Sequence, residues 1–231
     1  MLTPEEWQIV ALSLRVSMAA ILAALPVAFA LAWLLARGRF PGKVLLDAMV
    51  HLPLVLPPVV TGWALLLAFG ASGPAGRFLS EELGLTLMFR WTGAALAAAV
   101  MALPLMVRAM RFSIESVDRR LEAAARTLGA GPWRAFFTVT LPLTVPGILA
   151  AVVLGFARSI GEFGATITFV SNIPGETQTL PLAIYAALQV PGGESAVTRL
   201  AVISVLLSLG ALVASETLAR RSGQGRGGHV L

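Results

Sequence analysis

Apolar runs long enough to cross a lipid bilayer alternate with short polar segments along this chain. The five longest runs cover approximately residues 9–36, 44–69, 91–111, 146–170 and 200–218. A transmembrane helix needs roughly 20 apolar residues, so each run predicts one spanning helix. We therefore expect an all-α integral membrane protein with about five spans in one transmembrane domain, residues 1–219. A short disordered tail is expected at 220–231.

The pattern inside these runs predicts how the spans bend and pack. Pro26 should kink the first span, and the second contains HLPLVLPPVVTGW, in which Pro53, Pro57 and Pro58 lack backbone N–H groups. These three prolines fit either bends in a pore-lining helix or an architectural role without solute contact. The third span is rich in alanine and glycine at 93–99, which permits close helix approach in lipid.

Two connections between spans have helical character of their own. The connection at 70–88 can hold a short interfacial helix. The apolar segment Leu180–Gln189 is too short to cross a bilayer, so we expect a re-entrant or interfacial helix there.

A polar, amphipathic insert separates the third and fourth spans, from Asp118 to Pro142 (DRRLEAAARTLGAGPWRAFFTVTLP). Asp118 suits the N-cap of a first helix and Gly129 suits its end. Pro132 then suits the start of a second short helix. The apolar face of the first helix combines Leu121, Ala124, Ala125 and Leu128, and the second brings together Trp133, Phe136 and Phe137. This pattern predicts a helix–turn–helix that projects from the membrane domain.

Composition and charge agree with a membrane protein and suggest its orientation. The mean hydropathy of +0.84 and the 13% of charged residues exclude an ordinary soluble domain. Twelve of the 17 basic residues fall in the first turn, around the insert and in the tail. Because cytoplasmic loops carry the excess of Lys and Arg, we expect the insert and the C-terminus in the cytoplasm and the N-terminus outside. The net charge of +5 therefore reflects topology, and no nucleic-acid partner is expected.

The chain lacks the common signatures of catalysis. There is no phosphate-binding loop around Lys43, the only lysine, and there are no cysteines. Neither His51 nor His229 has a partner at metal-ligand spacing, and His51 is expected to be a satisfied structural histidine. We therefore expect no catalytic residues, no metal site and no cofactor bound by this chain, which argues against a membrane-embedded enzyme.

The insert resembles a known signature, the cytoplasmic EAA loop of ABC importer permeases. Gly129 and the pair Leu141–Pro142 match that signature within AARTLGAGPWRAFFTVTLPL. Three further segments, LAWLLARGRFPGKVLLD, HLPLVLPPVVTGW and FARSIGEFGATITFVSNIPGETQTLPLAIY, extend the resemblance over nearly the full length to molybdate permease subunits.

This resemblance implies the type I ABC importer permease fold and a multi-pass location in the bacterial inner membrane. It also implies a homodimer that receives molybdate or tungstate from an extracytoplasmic binding protein. Separate cytoplasmic ABC ATPase subunits would bind the ATP and Mg²⁺. An importer of sulfate, thiosulfate or another oxyanion is the alternative within this class. The rival from another class is a self-sufficient channel or secondary transporter.

The resemblance assigns ATPase coupling to ten residues of the insert. They are Glu122, Ala123, Ala124, Arg126, Thr127, Leu128, Gly129, Ala130, Trp133 and Arg134. Glu122 stands seven residues before Gly129, whereas the glutamate of the signature stands six before. This displacement argues against a specific salt bridge for Glu122 and favours coupling through Ala124, Arg126, Leu128, Gly129 and Trp133. From periodicity alone, a hairpin lying on the lipid surface is the simpler interpretation, and the resemblance favours docking.

A second set of residues lies in the fourth predicted span, where ionisable side chains are costly. Arg158 and Glu162 are four residues apart and can pair across one helical turn. The pair suits either a structural role between packed helices or part of the translocation pathway. The predicted pathway or gate comprises Arg158, Ser159, Glu162, Phe163 and Gly164.

Overall fold

The computed structural model describes the backbone of residues 2–224 and the side chains of residues 2–214 and 217. Every regular element in this range is helical. In chain order these are α1 (Pro4–Arg37), α2 (Lys43–Val55), α3 (Pro58–Phe69), α4 (Pro74–Leu83), α5 (Trp91–Ser116), α6 (Arg119–Thr127), α7 (Pro132–Ala135), a π-helical segment (Phe136–Thr140), α8 (Leu141–Ile160), α9 (Gly164–Val170), α10 (Leu180–Leu188) and α11 (Glu194–Gln224).

Four stretches of helix in the described chain are long and apolar enough to cross a membrane. They are Pro4–Arg37, Trp91–Ser116, Pro132–Ile160 and Glu194–Ala214. The pair α2 and α3 makes a fifth candidate if the two helices are counted as one broken span. The predicted all-α membrane fold with about five spans is therefore confirmed.

Helix α5 lies at the centre and packs against α1 and α8. Its alanines at positions 94, 97, 98 and 102 are completely or almost completely buried. On α1, alanines recur every fourth residue at positions 20, 24, 28 and 32, and all four are buried. Small side chains let helix backbones approach closely, as the sequence predicted for the third span. Helix α1 continues through Pro26 as one helix.

The second predicted span is not one straight helix. Its two halves, α2 and α3, meet at an angle of 115°. The backbone N–H of Leu56 donates to the Leu52 carbonyl oxygen and closes α2, and Pro57 and Pro58 follow directly. A proline disfavours the helical conformation of the residue before it, so the two consecutive prolines end the first half of the span and begin the second.

The fourth predicted span, 146–170, is wrong at both ends. The helix already begins at Pro132, inside the insert, and runs through the π-helical segment to Ile160. It then breaks at 161–163, and the short helix α9 follows. The second helix of the insert is thus the first part of a membrane span, because no residue between Trp133 and Leu141 interrupts helix formation.

The end of the bundle opposite the insert is held together by α1, α10 and α11. Thr3 and Glu6 form a reciprocal capping box at the start of α1, and Glu6 also pairs with Arg199 of α11 at 2.8 Å. The predicted short helices of the connections are present as α4 and α10. Helix α11 continues to Gln224, beyond the predicted tail boundary at 219/220, and residues 225–231, including His229, lie outside the described residues.

Candidate functional site

The insert folds as the predicted helix–turn–helix. The Asp118 carboxylate accepts the backbone N–H of Arg120 at 2.9 Å and caps α6. Gly129 follows the helix with a φ of 87°, a left-handed conformation that favours glycine. Gly131 then precedes Pro132, the first residue of α7. The turn between α6 and α7 is therefore set by Gly129.

The predicted coupling residues form an exposed surface at the tip of the insert. Eight of the ten are exposed, whereas Glu122 and Ala130 are half-buried. Leu128 is 89% exposed and Trp133 is 75% exposed, although both side chains are large and apolar. Among the side chains that the structure describes, Arg126 and Arg134 form no ion pair. Exposed apolar side chains beside free guanidinium groups suit a protein-docking surface.

Glu122 forms a specific salt bridge, contrary to the prediction from sequence. Its Oε1 atom lies 2.8 Å from Nη2 of Arg37 at the end of α1. The same oxygen accepts a hydrogen bond from the Thr140 hydroxyl at 2.7 Å. The displacement by one residue turns this carboxylate about 100° around α6, toward the membrane domain instead of outward.

A row of aromatic rings connects the tip of the insert to α1. Trp133 lies against Phe137 with ring centroids 6.5 Å apart, and Phe137 lies against Phe136 at 4.9 Å. Phe136 in turn meets Trp33 of α1 edge to face at 5.0 Å. The sequence predicted the three aromatic residues of the insert, but it did not predict their partner Trp33, which is about a hundred residues away in the chain.

The second candidate site lies where the fourth span breaks. Arg158 Nη1 and Glu162 Oε2 form the predicted ion pair at 2.6 Å. The Glu162 side chain is only 2% exposed, and its Oε1 accepts the backbone N–H of Ala165 at 2.8 Å. Glu162 therefore links the last turn of α8 to the first turn of α9.

The other predicted pathway residues surround this carboxylate in sequence. Ser159 is buried with no hydrogen-bond partner for its hydroxyl among the described residues. The ring of Phe163 lies 5.0 Å from that of Tyr185 on α10. A Cβ added to Gly164 would lie 2.7 Å from Cβ of Pro58, so α9 touches the start of α3. Tyr185 and Pro58 were not predicted as site residues, and only the proline run hinted at the second.

The structure also offers partners for His51. Its Nδ1 atom lies 2.8 Å from the backbone oxygen of Asp47 and 3.2 Å from the Asp47 carboxylate. Arg111 bridges Asp47 and Glu115 in the same cluster, at 3.1 and 2.8 Å. Among the His, Asp and Glu side chains that the structure describes, no group is arranged to hold a metal ion.

Comparison with known proteins accounts for this architecture. The sequence pattern of the family described as binding-protein-dependent transport system inner membrane component matches residues 24–224. The chain belongs to this family. It is thus a multi-pass inner-membrane component of an ABC transporter, as predicted.

Relatives within the family match over most of their lengths. The chain is 61% identical over 221 residues to the molybdenum transport system permease protein ModB of Escherichia coli strain K12, covering 96% of each protein. It is 57% identical over 210 residues to the ModB protein of Haemophilus influenzae, covering 91% of this chain and 92% of that protein. It is 38% identical over 199 residues to the sulfate transport system permease protein CysT of Escherichia coli, covering 86% and 71%.

Solved structures share the fold at low sequence identity. A chain of a bacterial ABC transporter that imports the acidic polysaccharide alginate matches with a TM-score of 0.73 at 17% identity, covering 95% of this chain and 80% of that one. A chain of the MetNI methionine ABC transporter matches with a TM-score of 0.67 at 17% identity, covering 94% of each. The predicted type I ABC importer permease fold is therefore confirmed.

Proposed function

We propose that this family member is the permease subunit of an ATP-driven importer for molybdate, and that tungstate is carried by the same pathway. The observation that supports molybdate as the substrate is the 61% identity to the ModB protein over 96% of both chains. In this proposal the chain is not an enzyme. ATP and Mg²⁺ bind to separate cytoplasmic ATPase subunits, and an extracytoplasmic binding protein delivers the oxyanion.

The charge distribution supports an orientation with the N-terminus outside. The end of the bundle that carries the insert also holds Arg37, Arg39, Lys43 and all five arginines of α5 and α6. An excess of basic residues marks the cytoplasmic side of membrane proteins. We therefore propose that the insert and the C-terminus face the cytoplasm.

The exposed tip of the insert supports ATPase coupling. Leu128 and Trp133 would enter an apolar groove of the ATPase, while Arg126 and Arg134 would meet carboxylate or carbonyl oxygens at its rim. A hairpin lying on lipid is less well supported, because the tract AARTLGAGPWRAFFTVTLPL resembles the EAA loop of ABC importer permeases.

The bent pair of α2 and α3 supports a homodimer with a pathway between its two copies. Both helices of this pair carry exposed apolar side chains, including Val44, Leu45, Met49, Val55 and Trp63. In this proposal a second copy of the chain would cover them. The group around Arg158 and Glu162 lies where α8 passes to α9, next to α3, and we propose that it forms part of the pathway or its gate.

Uptake into reconstituted vesicles tests the substrate. Vesicles would contain this chain and its ATPase, with the binding protein outside, and labelled molybdate uptake would be measured against unlabelled tungstate or sulfate. We expect tungstate to compete and sulfate to compete poorly. Equal competition by sulfate would favour the sulfate alternative, for which the 38% identity to CysT is the supporting observation. Uptake without any ATPase would instead indicate a self-sufficient channel or secondary transporter.

A further inference from the structure

Helix α6 is an unusual element to transmit force, because none of its nine residues is buried. A short helix without a buried face gains little stability from packing and is marginal on its own. Yet in the proposed function this helix receives the movement of the ATPase and passes it to the membrane spans. Some other interaction must hold α6 to the membrane domain.

The structure provides that interaction in three side chains, which we call the Arg37–Glu122–Thr140 triad. One oxygen of Glu122 accepts from Arg37 at 2.8 Å and from Thr140 at 2.7 Å. Thr140 is 1% exposed, and the side chains of Arg37 and Glu122 are 14% and 28% exposed. Because the ion pair is largely shielded from water and is supported by a hydrogen bond, it is stronger than a typical surface pair.

Each member of the triad belongs to a different element. Arg37 is the last residue of α1, Glu122 lies in α6, and Thr140 ends the π-helical segment that leads into α8. The same segment also supplies Phe136, whose ring meets Trp33 of α1. A π-helical turn is rare and often marks a functional position. The insert is thus joined to two membrane spans at one point.

We propose that the Arg37–Glu122–Thr140 triad makes the insert move as one body with the cytoplasmic ends of α1 and α8. Glu122 is therefore a positioning residue that acts within this chain and does not contact the ATPase. Loss of the triad would leave the docking surface of Leu128 and Trp133 in place but would let α6 move independently of the spans. The inference rests on the proposed coupling function only for its effect on transport.

A distance measurement tests the triad without any assumption about substrate. The chain contains no cysteine, so the changes Arg39→Cys and Arg120→Cys would attach two spin labels at exposed positions, just after α1 and at the start of α6. We expect a narrow distribution of label distances in the full chain in lipid vesicles. Glu122→Gln and Thr140→Val should each broaden it, and the charge exchange Arg37→Glu with Glu122→Arg should restore much of the wild-type width.

Transport coupling provides the second measurement, in the complex with ATPase and binding protein. We expect Glu122→Gln to lower the molybdate transported per ATP hydrolysed roughly 10-fold or more, as loss of one charged hydrogen bond predicts, without lowering the amount of bound ATPase. Glu115→Gln is the matched control, since Glu115 also pairs with an arginine at this end of the bundle. It should keep the wild-type ratio.

The outcomes separate the triad from the proposed function. If Glu122→Gln and Thr140→Val both keep the wild-type distance distribution and coupling ratio, the inference is wrong. If the wild-type chain shows no ATPase binding, the proposed function fails, and the distance distributions still decide whether the triad holds the insert. If Glu122→Gln does not fold, the other two variants test the inference. Thr140→Val retains the ion pair between Arg37 and Glu122, and the charge exchange replaces it with a reversed pair.

Discussion

The guanidinium of Arg158 and the carboxylate of Glu162 lie 2.6 Å apart at the point where a membrane span is interrupted. The second oxygen of that carboxylate accepts the backbone N–H of Ala165, the second residue of α9. One buried carboxylate therefore satisfies a cation from α8 and a free backbone donor at the start of α9. This arrangement explains how the chain tolerates irregular backbone among its spans, where every polar group needs a partner.

Removal of the Glu162 carboxylate should destabilise the protein. Glu162→Ala leaves Arg158 and the Ala165 N–H without their partner, and we expect a loss of about 3 kcal/mol or more in the free energy of unfolding. The midpoint of thermal unfolding of the detergent-solubilised chain measures this loss. Glu176→Gln, at an exposed acidic position, is the control and should unfold at the wild-type midpoint.

The more conservative Glu162→Gln separates a structural role from a pathway role. The amide keeps an acceptor for Ala165 but loses the charge. A variant that unfolds like wild type but transports slowly would assign the pair to the pathway or gate. A variant that loses stability and transport in parallel would assign it a structural role. An unchanged midpoint for Glu162→Ala would contradict the stabilising role altogether.

Gly129 should tolerate substitution less well than its neighbour Gly131. Gly129 has a φ of 87°, whereas Gly131 has a φ of −65°, and an added Cβ would meet no atom within 4 Å at either position. The difference is therefore one of backbone strain alone, about 1 kcal/mol for Gly129→Ala. We expect Gly129→Ala to weaken co-purification of the ATPase and Gly131→Ala to leave it unchanged. Gly129→Asp should impair it further; equal behaviour of the two alanine variants would contradict the assigned turn.

The exposed tip of the insert should account for much of the ATPase affinity. Trp133→Ala and Leu128→Ala each remove an exposed apolar side chain, and truncation of an interface tryptophan often costs 2 kcal/mol or more, roughly a 30-fold loss of affinity. Binding of the ATPase to the detergent-solubilised chain measures the loss. Phe112→Ala is the control, because Phe112 is 77% exposed but lies in α5, outside the insert. Equal effects of Phe112→Ala and Trp133→Ala would argue against the insert as the docking surface.

The features of the fold that could be predicted are those that depend on residues close together in the sequence. The number of spans, the cap at Asp118 and the turn at Gly129 follow from local composition and backbone preference, and all three were predicted from sequence. The pairing of Glu122 with Arg37 was not, because it joins residues 85 positions apart and depends on how α6 meets the end of α1. Counting residues from Gly129 gave the displacement of Glu122 but not the direction in which its side chain points.

The break of the fourth span was missed for a different reason. The sequence 146–170 has no ionisable residue except Arg158 and Glu162, and hydropathy records length and composition but not continuity. Two glycines flank Glu162, and together with a carboxylate able to cap the next helix they were the available signal. The i, i+4 spacing predicted the ion pair correctly, even though its acidic member lies beyond the end of α8.

Close packing of α3 on α9 gives a final prediction. A Cβ added to Gly62 would lie 2.6 Å from the carbonyl oxygen of Ala165 and 2.9 Å from its Cα. These are backbone atoms that cannot turn aside, so Gly62→Ala must push α3 away from α9. Gly210 is the matched control, because it also lies within a helix and an added Cβ there meets nothing within 4 Å.

The two alanine variants should change the free energy of unfolding in opposite directions. Gly210→Ala should be neutral or stabilise the chain by up to about 1 kcal/mol, since alanine favours helix more than glycine does. Gly62→Ala gains the same propensity but adds the cost of overpacking, about 1 to 3 kcal/mol. Thermal unfolding midpoints of the two detergent-solubilised variants measure this difference, and vesicle uptake measures its effect on transport. A midpoint for Gly62→Ala at or above that of Gly210→Ala would contradict the contact between the broken halves of the second and fourth spans.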